Sequence, residues 1–169
     1  KGERPLWDFP DGSLYRHEAA AYELSKLLGW PFVPPTVVRD GPEGPGSAQL
    51  FIPHDPEQHF FEQRERPELV PQLRRICVFD VIANNADRKG GHCLLDESER
   101  IWCIDHGLCF HPQAKLRSVI WDWAGEEIPA ADLADIERAG AAIAAGDEAS
   151  AALLTHLHTH EVTALLHRI

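Results

Sequence analysis

Residues 84–111, NNADRKGGHCLLDESERIWCIDHGLCFH, carry the clearest structural pattern in the chain. Within this stretch, two short apolar runs, HCLL and RIWCI, flank the polar segment DESER, a pattern typical of a β-hairpin. A turn in that segment pairs Cys93 with Ile104 and His92 with Asp105, to within one residue of register. Because opposed residues have Cβ atoms about 4.5–5.5 Å apart, we expect His92 and Asp105 to meet at the open end of the hairpin.

A third polar side chain, that of Asp87, lies five residues before His92. Gly90 and Gly91 separate the two and allow the chain to turn sharply. The sequence therefore predicts that a helix end, a loop and a hairpin bring an Asp, a His and a second Asp together. Phosphoryl transfer uses such groups, because one Asp accepts or orients the proton of the nucleophile while another Asp and a further ligand hold Mg²⁺ against the phosphates.

Helices are predicted on both sides of this stretch. Apolar periodicity and capping residues indicate four, at about 14–28, 68–83, 130–145 and 147–167. Asp11 or Ser13 caps the first helix, Gly29 ends it, and Pro67 suits the first turn of the second.

Strands are predicted between the first two helices. VVRDG, residues 37–41, indicates a strand that runs into a turn, and Gly41–Gly46 continues as a loop. AQLFI, residues 48–52, indicates a short buried strand. A few strands in the middle of the chain and mostly helices after them are typical of an α+β fold.

The composition narrows the function classes. A formal net charge of −11 disfavours nucleic acid or an anionic membrane surface as the main partner. No stretch reaches the roughly 18–20 apolar residues of a membrane span, so stable membrane insertion is not expected. The beginning, KGERPLWDFPDG, lacks a signal-peptide pattern and a start methionine, so we expect the natural start upstream of Lys1. Four cysteines without a C-x-x-C pair indicate reduced thiols in a cytoplasmic protein.

Metal sites elsewhere in the chain are disfavoured. His156 and His160 have a spacing that can bind zinc on one helix face, but no third ligand is evident. Cys93, Cys103 and Cys109 are not expected to converge, because the predicted register turns the strand cysteines to opposite faces.

The same stretch resembles a known family. FDVIANNADR, then four residues, CLL, a hairpin and IDHG resemble the catalytic-loop and metal-loop pattern of phosphatidylinositol 3-/4-kinases, in style closest to the type II 4-kinases. More narrowly, RPLWDFPDG, VPPTVVRDG, NNADRKGGH and IDHGLCF are similar to blocks of an uncharacterised actinobacterial family of compact kinase-like proteins. The likeness covers almost the whole chain, with its blocks in order.

The resemblance implies a two-lobed kinase-like fold, with a partial N-lobe at 1–53, a helical C-lobe at 54–169 and ATP in the cleft between them. It implies that Asp87 is the catalytic aspartate of a D-R motif, with Arg88 beside it in reach of phosphate. Asp105 is implied to be the metal-binding aspartate of a D-x-G motif, with Mg²⁺ or Mn²⁺ as the metal.

The resemblance also assigns residues to the nucleotide. Glu18 is implied to be the helix glutamate that pairs with an ATP-anchoring lysine, which we expect upstream of Lys1. The hinge strand that reads the adenine through backbone groups is implied to be Gln49, Leu50, Phe51 and Ile52.

His92 stands where these kinases usually place a metal-binding Asn. Imidazole favours Mn²⁺ or Zn²⁺ over Mg²⁺, so the metal preference is altered, a second metal is lost, or transfer is impaired. The residues therefore leave open an ATP-dependent phosphotransferase with an unknown small-molecule, lipid or protein acceptor, a nucleotide-binding pseudokinase, and a protein nucleotidyltransferase. A metal-dependent hydrolase is a more distant alternative.

Overall fold

The computed structural model describes residues 6–169, so Lys1 lies outside the described part of the chain. The elements, in chain order, are α1 (Leu14–Leu28), β1 (Thr36–Gly41), β2 (Gly44–Gln49), α2 (Phe60–Gln63), α3 (Val70–Ala83), a 3₁₀ turn (Gly90–His92), β3 (Cys93–Leu95), β4 (Ile101–Cys103), α4 (Ala130–Ala145), α5 (Glu148–Leu154) and α6 (Thr159–Leu166). Helices combined with two separate two-stranded antiparallel sheets confirm the predicted α+β class.

The first helix has the predicted bounds. Ser13 is its N-cap residue, and Gly29 ends it with a left-handed φ of 76° that glycine adopts without a steric penalty. Its buried face carries Ala20, Leu24 and Leu28, all at 0% exposure. This face joins the core that the other helices and the second hairpin share.

The first sheet differs from its prediction because the segment Gly41–Gly46 is not a loop. Gly41 pairs with Gly44, so the chain reverses in a tight hairpin and β2 continues to Gln49. The predicted buried strand at 48–52 is also wrong, since its last three residues lie outside β2.

Two prolines explain where the first sheet ends. Thr36 pairs with Gln49, the last residue of β2. Leu50, which follows β2, donates its N–H to the carbonyl of Pro35. Pro34 and Pro35 have no N–H to offer, so the ladder has no donors beyond this point. Phe51 therefore leaves the sheet and is 78% exposed.

Two helices also differ from their predictions. The helix predicted at 68–83 begins at Val70, with Pro71 instead of Pro67 in its first turn. The helix predicted at 147–167 is two helices, α5 and α6, because Glu161 accepts a hydrogen bond from the N–H of His158 and starts a new helix there.

The second sheet has the predicted hairpin with a register shifted by one residue. Cys93 lies opposite Cys103, and Leu95 lies opposite Ile101. The turn shortens because Asp96 accepts hydrogen bonds from the N–H groups of Ser98 and Arg100 and because Glu99 adopts a left-handed φ of 61°. Cys93 and Cys103 therefore lie on the same face of the hairpin, contrary to the prediction, although no group of three or more potential metal ligands occurs within residues 6–169.

None of the described helices is both long and apolar enough to cross a bilayer.

Candidate functional site

The predicted meeting of His92 and Asp105 is confirmed. Nε2 of His92 lies 3.2 Å from Oδ2 of Asp105, and the side chains are 12% and 59% exposed. His92 ends the 3₁₀ turn before β3, and its carbonyl accepts a hydrogen bond from the N–H of Ile104, just after β4. The one-residue register shift therefore places Ile104 opposite His92, and Asp105 turns back beside it with a left-handed φ of 63°.

Asp87 lies in the loop that follows α3. Asn84 ends that helix with a left-handed φ of 55°, and the amide oxygen of Asn85 accepts a hydrogen bond from the N–H of Asp87. Asn84 also fixes the next loop, since its amide nitrogen donates to the carbonyls of His111 and Gln113. Both asparagines thus shape the site through backbone contacts.

Two cations flank the carboxylate of Asp87. Nζ of Lys89 lies 2.7 Å from Oδ2, and a guanidinium nitrogen of Arg117 bonds Oδ1. Partial burial acts to raise the pKa of Asp87, but the hydrogen bonds from Lys89 and Arg117 outweigh it and hold that pKa below its usual range. Asp87 is therefore an ionised, partly exposed carboxylate, as a proton acceptor or orienting group must be.

Arg88 is enclosed beneath the site. It makes two bonds of 2.8 Å to the carboxylate of Asp80, and it reaches the carbonyl of Ile104 at 3.1 Å and Nε2 of His106 at 2.9 Å. Its side chain has 0% exposure. Arg88 is therefore fully enclosed with partners within the protein, and it ties α3 and the loop of Asp87 to the end of β4.

Glu18 on α1 is hydrogen-bonded to the loop that follows Asp105. Its two carboxylate oxygens accept hydrogen bonds of 3.0 Å from the N–H groups of His106 and Gly107. Burial raises the pKa of Glu18 to about 6, although these two backbone bonds oppose the rise. Within residues 6–169, the hydrogen-bond partners of the Glu18 carboxylate are these two backbone amides, and its pairing with an anchoring lysine stays a prediction.

The four proposed hinge residues lie at the end of the first sheet. Gln49 donates from its amide to the hydroxyl of Thr36 at 2.9 Å, and Leu50 donates its N–H to Pro35. The carbonyl of Ile52 accepts a hydrogen bond from Nδ1 of His54 at 2.8 Å. Two of the backbone groups that an adenine would read are thus already bonded within the protein.

His92 and Asp105 offer one nitrogen and two carboxylate oxygens to a cation. Burial lowers the pKa of His92, while the charge of Asp105 acts to raise it and those of Arg88 and Lys89 act to lower it. Nδ1 of His92 accepts the N–H of Lys89 at 3.4 Å and Nε2 faces Asp105, so Nε2 would ligate a cation only in the tautomer that carries its proton on Nδ1. Mg²⁺ is commonly bound by one or two carboxylates together with waters and substrate phosphates, and the exposed carboxylate of Asp105 fits that donor set, whereas the imidazole of His92 suits it less well.

Sequence reasoning missed a buried residue that contacts the loop after Asp105 and the buried partner of that residue. His17 contacts the carbonyl of Gly107, and Glu161 contacts His17. They are 144 residues apart in the chain, and nothing in the local sequence of either one indicates the contact.

Comparison with known proteins identifies the family of this chain. The family model described as phosphatidylinositol 3- and 4-kinase matches residues 36–139, which include Asp87, His92 and Asp105. The chain is also 40% identical over 200 aligned positions to Protein Rv2133c of Mycobacterium tuberculosis, with 99% of this chain and 71% of that protein covered. The chain therefore belongs to the phosphatidylinositol 3- and 4-kinase family.

Proposed function

We propose that this protein is an ATP-dependent phosphotransferase that uses a divalent metal, Mg²⁺ or Mn²⁺. The observation that supports the proposal is the contact of His92 with Asp105 at 3.2 Å, with Asp87 five residues before His92 in the segment that the family model matches.

Each side chain has a proposed role. Asp105 and His92 hold the metal, which when bound screens the charge of the ATP phosphates. Asp87 accepts or orients the proton of the acceptor hydroxyl, and Lys89 and Arg117 keep it ionised. Arg88 holds the loop of Asp87 and the end of β4 together through its bonds to Asp80 and Ile104. Its proposed role is therefore positioning, in place of contact with phosphate.

The nucleotide is proposed to lie between the first hairpin and the loops of Asp87 and Asp105. This placement uses the two-lobed arrangement of kinases, with a partial N-lobe at 1–53 and a C-lobe at 54–169. Gln49, Leu50, Phe51 and Ile52 form the proposed hinge. The exposed side chains of Leu50 and Phe51, at 55% and 78%, offer apolar surface for an adenine.

A single-turnover experiment tests the proposal. The complete protein is incubated with ATP labelled at the γ-phosphate and with Mg²⁺ or Mn²⁺, and the passage of the labelled phosphoryl group from ATP to water or to a hydroxyl of the protein itself, with ADP as the other product, is followed. We expect Asp87→Asn to abolish release of the label while ATP binding persists. A wild type that binds ATP but releases no label with either metal would overturn the proposed transfer.

One observation favours a second function, that of a nucleotide-binding pseudokinase. His92 replaces the oxygen ligand usual at this position, and imidazole is a poorer ligand for Mg²⁺ than an amide oxygen. Under this alternative the label stays on ATP in the wild type and in Asp87→Asn alike. Mass spectrometry of labelled products separates the third possibility, nucleotidyl transfer, by the greater mass of the group that is added.

A further inference from the structure

We infer that His17 and Glu161 are positioning residues that brace the backbone of Gly107 and thereby hold Asp105 in place. The inference rests on the proposed role of Asp105 as a metal ligand. Neither residue lies within the span 36–139 that the family model matches. The pair therefore makes a helix near the start of the chain and one near its end parts of the proposed active site.

A series of hydrogen bonds connects the start of α6 to the loop that follows Asp105. Nδ1 of His17 donates to the carbonyl of Gly107 at 3.0 Å, and Nε2 of His17 lies 2.9 Å from Oε1 of Glu161. The other oxygen of Glu161 accepts the N–H of His158 at 2.8 Å, at the start of α6. Each polar atom of the pair thus has a partner.

The pair is built into the core. His17 is 1% exposed and Glu161 is 2% exposed. The rings of Phe9 and Phe110 pack edge-on against the imidazole, with centroid distances of 6.2 Å and 5.9 Å. Buried side chains that are hydrogen-bonded and packed on both sides hold one orientation, which a brace requires.

The loop that they contact needs bracing. Asp105 and Phe110 both have a left-handed φ, of 63° and 65°, and residues other than glycine keep such a conformation only where surrounding contacts fix it. Glu18 holds the N–H of Gly107, and His17 holds its carbonyl, so consecutive residues of α1 fix both sides of this residue. Loss of the second contact frees the loop to rotate Asp105 away from His92.

Two substitutions of His17 separate the two contacts. In His17→Asn the amide nitrogen takes the place of Nδ1 and retains the bond to Gly107, while the contact with Glu161 is lost. In His17→Gln the amide nitrogen takes the place of Nε2 and retains Glu161, while Gly107 loses its donor. Asp132→Asn is the matched control, because Asp132 is a buried carboxylate paired with Arg75 at 2.8 Å between α4 and α3.

The first measurement is amide hydrogen exchange of the protein without ligand, with α3 as the internal reference. We expect residues 104–110 to exchange on the order of fivefold faster in His17→Gln, the factor that one ordinary hydrogen bond represents. His17→Asn and Asp132→Asn should leave this segment near the wild-type rate. Equal exchange rates of residues 104–110 in His17→Gln and His17→Asn would overturn the inference. It would also be overturned if α3 exchanged faster in His17→Gln by the same factor.

The second measurement is calorimetric binding of Mn²⁺ with ATP. We expect affinity about tenfold weaker in His17→Gln, the lower end of the usual effect of removing support from a metal ligand, and little change in Asp132→Asn. Unchanged affinity in a variant whose loop exchanges faster would overturn the positioning role. A wild type that binds no Mn²⁺ with ATP would refute the proposed function, and the exchange rates alone would then decide whether His17 braces the loop.

Discussion

His92 and Asp105 approach within 3.2 Å of each other although twelve residues separate them in the sequence. The intervening hairpin accounts for this contact, since β3 and β4 are three residues each and bring their outer ends together. The contact leaves Asp105 more than half exposed beside a neutral imidazole.

The buried ion pair beneath the site should dominate the stability of the second hairpin. Arg88→Met leaves the carboxylate of Asp80, 1% exposed, without its cation, and we expect a loss of about 3–5 kcal/mol in the free energy of unfolding. Urea denaturation measures this loss.

Two companion variants make that measurement decisive. Arg117→Met removes an arginine that is 76% exposed, and it should cost no more than about 1 kcal/mol. The double variant Asp80→Asn, Arg88→Met should recover part of the loss. Equal costs for Arg88→Met and Arg117→Met would contradict the enclosed position of Arg88.

The raised pKa of Glu18 predicts a pH dependence of stability. Burial disfavours its charged form, so the folded state binds a proton more tightly than the unfolded state between pH 4.5 and about 6. The free energy of unfolding should therefore fall as pH rises through this window, by about 2 kcal/mol relative to Glu18→Gln, which cannot titrate. If the free energies of unfolding of the wild type and Glu18→Gln changed by the same amount from pH 4 to 7, Glu18 would instead be solvated.

The lowered pKa of Asp87 depends on Lys89 and Arg117. Arg117→Gln removes one of these cations, so the pKa of Asp87 should rise toward its ordinary value. Carbon-13 titration of the Asp87 carboxyl measures the change directly, and the acid limb of any transfer activity should move to higher pH with it. Arg64→Gln is the control, because Arg64 pairs with Asp122 and Glu65. A titration curve that is the same in all three proteins would show that Arg117 does not hold the pKa down.

The close fit of α1 against the loop that follows Asp105 makes Gly107 sensitive to substitution. A Cβ at this position would lie 3.3 Å from the Cβ of Leu14 and 3.5 Å from the carboxylate of Glu18. Gly107→Ala should therefore cost about 1–3 kcal/mol of unfolding free energy and weaken metal-dependent ATP binding.

Gly91→Ala is the matched substitution for Gly107→Ala. A Cβ at Gly91 would meet nothing within 4 Å, so thermal denaturation should show a change of no more than about 0.5 kcal/mol. If Gly107→Ala were as harmless as Gly91→Ala, the close contact between α1 and the loop would not exist in solution.

Local signals in the sequence predicted a substantial part of this structure. The bounds of α1 follow from Ser13, an apolar stripe and Gly29, and those of α4 from its run of alanines before Gly146. The meeting of His92 and Asp105 follows from the hairpin pattern, because a contact at the end of a short hairpin survives a shift of one residue.

Features that depend on distant contacts or on turn conformation were not predicted. The hairpin register depends on the left-handed conformation of Glu99, which a glutamate rarely adopts. The burial of Arg88 depends on Asp80, eight residues earlier on a different element. The contact of His17 with Glu161 joins helices at opposite ends of the chain, and no local pattern contains it.

The decisive experiment is calorimetric titration of the complete protein with ATP in the presence of Mg²⁺, in the presence of Mn²⁺ and without metal. We expect metal-dependent binding in the wild type, which Asp105→Asn abolishes and Asp122→Asn preserves, because the carboxylate of Asp122 pairs with Arg64. Metal-independent binding, binding unaffected by Asp105→Asn, or no binding with either metal would contradict a nucleotide and metal site at Asp105 and His92.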